Sequence, residues 1–199
     1  HTLLDHESWV RSIAFSPDGH LLASGSGDGT IKLWDYRNGK CLKTYQGHQK
    51  SIYAVAFSAD GILASGSGDY TVKLWDIQRD RCLQTLQGHE NEVCSVAFSP
   101  QGQMLVCVSL DQTVKLWDVE SGEVLRSWYG NTDWALPVAF SPDGETLASG
   151  SNDKTITLWH WRRGEFQQSL AGHEDFIYGL AWHNTGDFVA SECTDANVR

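Results

Sequence analysis

The sequence predicts an all-β fold, a β-propeller of four-stranded antiparallel blades, and three observations predict it. The chain repeats at a spacing of 41 or 42 residues, which brings Trp34-Asp35, Trp75-Asp76, Trp117-Asp118 and Trp159-His160 into register. Each repeat alternates short runs of Val, Ile, Leu and aromatic residues with turn chemistry, the pattern of strands joined by tight connections. No stretch offers helical periodicity. A four-stranded unit cannot bury both faces alone, so such units stack as blades against their neighbours.

The elements follow in order. In the first unit, "VRSIAFS" is the first strand and "PDG" its exit. "HLLASGS" is the second, leaving through "GDG"; "TIKLWDY" is the third, leaving through "RNG"; "KCLKTYQ" is the fourth. Gly-His or a variant recurs at Asp5-His6, Gly47-His48, Gly88-His89, Gly130-Asn131 and Gly172-His173. An "AFSPDG"-like phrase follows each, from Ala14, Ala56, Ala97, Ala139 and Ala181. Residues 1–199 therefore read as a single repeat segment with units at about 6–47, 48–88, 89–130, 131–172 and 173–199, the last incomplete.

The glycines of "SGSGDGTIKLWD", Ser24 to Asp35, suggest a phosphate cradle. Such a cradle needs its glycines to lead into a helix whose first amides bind the anion, and these lead into a strand. Gly27 and Gly29 instead flank Asp28 in a tight turn where positive φ is cheap for glycine. Other copies exchange the flanking residues, as in Leu110-Asp111-Gln112 and Asn152-Asp153-Lys154, but retain the aspartate.

Composition bounds the function. Hydrophobic residues make up 41% of the chain, enough for a substantial core, and the formal net charge is −10. That charge disfavours nucleic acid as a partner. No apolar run is long enough to span a bilayer, so no membrane partner is expected. The cysteines at 41, 82, 94, 107 and 193 are odd in number and far apart, which points to a reducing, cytoplasmic setting. Cys41 and Cys82 read as buried small hydrophobes. The histidines occur without metal-ligand spacing, and no metal or cofactor is expected.

The Gly-His to Trp-Asp framing, with "LASGSGDGTIKLWD" between, resembles the WD40 repeat over essentially the whole chain. Its regular phrasing, as in "AFSPDGETLASGS", is similar to WD40 arrays of multidomain bacterial, especially cyanobacterial, proteins. The resemblance implies seven or eight blades, so four full blades plus most of a fifth read as a fragment of a longer array. An N-terminal stub completing the last unit, and so closing a five-blade ring, is the other arrangement. Unpaired blade faces in such a fragment would favour self-association.

The resemblance also implies a hydrogen-bonded set inside each blade. The sets are His6, Ser24, Asp28 and Trp34; His48, Ser65, Asp69 and Trp75; His89, Asp111 and Trp117, with Cys107 at the serine position; Asp153 and Trp159, with Asn131 for the histidine; and His173, Ser191 and Asp195. Ser24 and Ser26 share a strand face, and either suits the serine role. Ser, His and Asp are also the ingredients of nucleophilic catalysis. One enzyme needs one such site, whereas recurrence at constant spacing marks a task common to every blade. No catalytic residue is therefore assigned.

Positions that vary between units point to function. They gather at the start of each inner strand, toward the central channel and its rim: Trp9 and Arg11, Tyr53, Glu92 and Cys94, Trp134 and Leu136, Phe176 and Tyr178. The neighbouring turn adds Tyr70 and Lys154. In the WD40 family this rim receives peptides or partner proteins, and Trp, Tyr and Arg are frequent anchors of binding energy. The alternative is that these aromatics plug the channel or pack between blades. Pro137 favours the channel, since a residue without an N–H suits an unpaired strand edge. The sequence thus reads as a non-catalytic protein-interaction scaffold or sensor module of a larger signalling protein whose other domains lie outside this chain. The alternative is an enzyme or small-ligand-binding protein on a propeller scaffold.

Overall fold

A computed structural model of the chain describes residues 1–129 and 137–199, and these contain strands and turns but no helix. The first sheet is β1 (Val10–Phe15), β2 (Leu22–Ser26), β3 (Ile31–Asp35) and β4 (Lys40–Tyr45), paired in that order. The second is β5 (Ile52–Phe57), β6 (Ile62–Ser67), β7 (Val72–Asp76) and β8 (Arg81–Leu86). β9 (Val93–Phe98), β10 (Met104–Ser109), β11 (Thr113–Asp118) and β12 (Val124–Tyr129) form the third. β13 (Val138–Phe140), β14 (Leu147–Gly150), β15 (Thr155–His160) and β16 (Glu165–Ala171) form the fourth, and β17 (Ile177–Trp182) with β18 (Val189–Cys193) a two-stranded fifth. All pairs are antiparallel meanders, as the alternation of runs and turns predicts.

The core lies between blades. Ala23, Ile31, Leu33 and Tyr45 of the first blade bury themselves against Ile52, Val55, Leu63 and Trp75 of the second. The contact is a knob in a notch. Gly25 leaves a gap in β2 that the Ile52 side chain fills, and a Cβ on Gly25 would lie 2.6 Å from Ile52 Cγ2. Gly66 makes the same notch for Val93 and Gly150 for Ile177. At the third blade the notch position holds Val108, and the sequence carries the small Ala135 at the next knob position, which lies outside the described residues. On the first blade the corresponding leading face is uncovered: Ile13 is 61% exposed where Val55 is 6%.

Bulges interrupt the pairing at two recurring places, one between the third and fourth strands and one at the inner edge of the blade. Between the first and second strands of a blade the register slips by one residue, leaving Arg11, Tyr53, Cys94 and Tyr178 as the extra residues. A bulge bends its strand and re-aims the unpaired side chain. Residues 10, 13 and 15 then share the face toward the preceding blade position, while residue 11 is released from it.

The inner strands also touch across blade boundaries. The Ser12 hydroxyl accepts the Val55 N–H at 3.1 Å, and Ser95 accepts the Val138 N–H at 3.3 Å. Farther out, the Lys43 ammonium pairs with Asp80 of the next blade. On the outer strands Cys41 is half-buried and Cys82 exposed, contrary to the burial expected from their apolar surroundings, because the fourth strand is the blade's outer edge.

Gly25→Val should lower the urea midpoint by an amount equivalent to about 1–3 kcal/mol, through overpacking against Ile52. Adding Ile52→Ala should restore part of that loss. Equal stability of wild type and Gly25→Val would refute the knob-in-notch account.

Candidate functional site

Each blade is closed by one aspartate. Asp28 sits in the turn after β2, and its Oδ2 accepts His6 Nδ1–H at 2.8 Å and the Glu7 amide at 3.0 Å. Its Oδ1 accepts the Thr30 amide at 2.8 Å and the Thr30 hydroxyl at 2.7 Å. Because a carboxylate only accepts, His6 carries its proton on Nδ1, and Nε2 accepts from the Ser24 hydroxyl at 2.7 Å. That hydroxyl in turn accepts the Trp34 indole N–H at 2.7 Å. Ser24, not Ser26, therefore fills the serine role. Ser26 donates instead to the Ser8 carbonyl and accepts the Asp28 amide, shaping the turn from the other strand position.

The second blade repeats the arrangement with Asp69, His48, Ser65 and Trp75 at 2.7 to 2.9 Å. In the fifth blade, His173 meets Asp195 at 3.0 Å and Ser191 at 2.7 Å. In the fourth, Trp159 donates to Ser149 at 3.1 Å and Asp153 accepts from Thr155; Asn131 lies outside the described residues. The threonine at 30, 71, 113 and 155 is a member that the Ser-His-Asp reading overlooks. Its signal is the recurring Asp-x-Thr of "DGT", "DYT", "DQT" and "DKT".

The turn has a backbone cost that the sequence reading does not foresee. Gly29 takes φ 80°, and its counterparts Tyr70, Gln112, Lys154 and Ala196 take φ 63° to 73°, a conformation uncommon for residues with a Cβ. The aspartate clamp holds them there. Gly27 has a different role from the one expected: it is not in the positive-φ region, and its Cβ would meet Ser8 Oγ at 2.7 Å, so close approach of the preceding loop excludes a side chain.

The third blade breaks the network. His89 still donates to Asp111 at 2.8 Å, but Cys107 replaces the serine, and His89 Nε2 and Trp117 Nε1 are buried without hydrogen-bond partners. Burial raises the Cys107 thiol well above its usual range. It fills the serine's volume without supplying an effective acceptor.

The electrostatics agree with a neutral imidazole on an ionised carboxylate. Burial lowers the His48 and His89 pKa values against the pull of Asp69 and Asp111. For Asp69, burial opposes ionisation, but hydrogen bonds from Thr71, the Gln49 amide and His48 outweigh it and hold the pKa at about 2. Asp28, Asp111 and Asp195 are lowered by the same balance.

In the first two blades Ser24 and Ser65 are buried and spend their hydroxyls on the histidine and the indole. In the fifth blade a cavity of about 150 Å³ touches His173, Ser191 and Arg199. The corresponding space beside Gly47 and Gly88 holds the Trp75 and Trp117 indoles, and beside Gly172 it holds the Arg199 side chain. His173, Cys193 and Asp195 bring three possible metal donors within 4.8 Å of one another. Asp195 already carries the Arg199 guanidinium at 2.9 Å, and Cys193 contacts the Asp175 carbonyl at 3.0 Å, so the donors are committed to the blade.

The variable positions gather elsewhere. The bulge residues Arg11, Tyr53, Cys94 and Tyr178, with Pro137, line a cavity of about 410 Å³ where the inner strands converge. Around it Trp9, Tyr70, Phe176 and Tyr178 are exposed, Trp9 to 77%. Arg11, Glu7 and Lys154 are exposed, and Tyr53 and Glu92 are half-buried. Lys50 lies over the Tyr70 ring at 5.0 Å. Trp134 and Leu136 lie outside the described residues. Tyr70 and Lys154 are turn residues and do not line the cavity.

Four-stranded blades, stacked through their faces and locked by a His–Ser–Asp–Trp network, define a WD40-type β-propeller. The sequence model of the IFT122 first beta-propeller family matches residues 9–199, and the chain belongs to that family. It is 45% identical over 60 residues to human WD repeat and SOCS box-containing protein 1, covering 29% of this chain and 14% of that protein. It is 43% identical over 63 residues to nuclear distribution protein PAC1 of Scheffersomyces stipitis, covering 29% and 12%. General transcriptional corepressor TUP1 of Saccharomyces cerevisiae is 43% identical over 49 residues, covering 25% and 7%. The matched segments thus span a seventh or less of these curated relatives.

Cys107→Ser should raise stability by about 1–2 kcal/mol, because one hydroxyl would satisfy both orphaned nitrogens. An unchanged or lower urea midpoint would count against it. Stability should also depend on pH in two steps. The unfolded chain binds protons on His48 and His89 at higher pH than the folded chain, so stability is full above about pH 7 and declines as pH falls below about 6.5. Asp69 adds a second loss between about pH 4 and about 2. A urea midpoint flat from pH 7.5 to 5 would contradict the first step.

Proposed function

We propose that this chain is a non-catalytic docking module that takes a peptide, or an extended segment of a partner protein, at the mouth of its central channel. One observation carries the reading: the bulge residues differ from blade to blade, and Arg11, Tyr53, Cys94 and Tyr178 come together on the wall of one cavity. The residues common to the blades are spent on the internal network, so variation falls where the fold does not need a particular side chain. The exposed Trp9, Phe176 and Tyr178 supply amphipathic contact area of the kind that anchors interfaces.

A scaffold or sensor role within a larger signalling protein fits this geometry. So does a reducing, cytoplasmic compartment for five unpaired cysteines. The net charge of −10 favours protein over nucleic acid as the partner.

Peptides selected on the wild-type protein from a random displayed library should lose at least about tenfold in affinity on Tyr53→Ala and on Tyr178→Ala. Leu83→Ala on the outer edge should bind like wild type. Undiminished binding by both rim variants would defeat the reading.

A further inference from the structure

Among the described residues, the wall of the channel cavity carries one charged side chain, Arg11. Tyr53, Cys94, Pro137 and Tyr178 line it beside Arg11. Burial pushes the Cys94 thiol up to about 12, so it stays protonated. At the same bulge position the other described blades have Tyr53, Cys94 and Tyr178, so the cation belongs to the first blade alone.

The guanidinium is also held in place. Arg11 Cζ lies 5.8 Å from the Trp9 ring centroid and 5.0 Å from that of Tyr53. Burial and the nearby Glu92 carboxylate of the third blade raise the Tyr53 phenol. Cation–π contact on two rings orders the guanidinium without using its N–H groups. Among the described residues no carboxylate pairs with Arg11, as for most of the fifteen Lys and Arg residues. The first blade therefore presents at the cavity an ordered cation that makes no ion pair among the described residues, within a protein of net charge −10.

We propose that Arg11, clasped by Trp9 and Tyr53, is the receptor for an oxyanion, a carboxylate or a phosphate, carried by the peptide that docks at the channel mouth. This rests on the docking reading above and names the chemistry of its ligand. The planar guanidinium accepts two oxygens side by side, and the half-enclosed wall strengthens the contact relative to open water.

The test uses the displayed-library peptides as probes, with fluorescence polarisation as the readout. Wild-type selection should enrich one acidic position, and changing that residue to its amide should weaken binding roughly 10- to 100-fold. The same change should cost less than about threefold on Arg11→Met, since the interaction would already be gone. Arg11→Lys should recover part of the discrimination. Arg11 is exposed, so circular dichroism and the urea midpoint of Arg11→Met should match wild type and exclude unfolding. Phosphoserine in place of the acidic residue separates the sources: tighter binding than glutamate assigns phosphate, and equal or weaker binding assigns carboxylate. Peptides without acidic preference, or an amide penalty unchanged on Arg11→Met, overturn the Arg11 assignment. Loss of binding on Tyr53→Ala and Tyr178→Ala would still uphold docking in that case. Failure to select any peptide, or indifference to every rim variant, overturns both.

Discussion

The turn aspartate is the interaction on which the rest of each blade depends. In the first three blades one carboxylate accepts four hydrogen bonds: two from the loop that precedes the first strand and two from the start of the third strand. It joins segments about 22 residues apart, such as His6 and Asp28. It also holds a positive-φ residue that Tyr70, Gln112, Lys154 and Ala196 would otherwise leave. An ionised acceptor suits the task because each N–H and O–H is worth more to a charged oxygen than to a neutral one. The imidazole completes the chain to the serine and the indole, so burial of the tryptophan leaves no donor unpaired in the first two blades.

Stability and shape come from different parts of the blade. Apolar burial lies between blades, where Ile52, Val93 and Ile177 fill glycine notches, each such side chain worth about 1.5–3 kcal/mol of transfer free energy. The polar network lies within blades and decides which conformation the turn and loop take. The third blade shows the two separating. Cys107 leaves two buried nitrogens unsatisfied, yet Leu105, Cys107 and Trp117 still pack in one core cluster with Val72, Leu74 and Val93.

The same division leaves the channel mouth free to vary. A residue in a regular strand serves both the ladder and a packed face, but a bulge residue serves neither. Arg11, Tyr53, Cys94 and Tyr178 are such residues, and they differ in size, charge and polarity while their neighbours Val10, Ile52, Val93 and Ile177 stay β-branched and apolar. Specific chemistry can therefore collect at one point of a repeating scaffold without disturbing the repeats, Arg11 between its two rings being the clearest case.

By itself the sequence determined the all-β class, the four strands of each unit and the recurring His, Asp and Trp, because these follow from local periodicity, turn chemistry and internal repetition. It also marked Trp9, Arg11, Tyr53 and Tyr178 among a larger set of variable positions that includes Tyr70, Glu92, Cys94, Trp134, Leu136, Lys154 and Phe176. It left Ser24 and Ser26 equivalent, since residues two apart on a strand share a face, and only the fold brought Ser24 under the indole of Trp34. It misjudged Cys82, because burial depends on which strand ends up outermost. The bulge was hidden as well: strict alternation would put residue 11 on the face of residues 13 and 15, and only pairing with the second strand shows which residue is extra. Contacts that join distant segments, such as Thr30 on Asp28 on His6 or Arg11 on Tyr53, are decided by tertiary structure, because their geometry depends on the register of strands that the chain brings together from far apart.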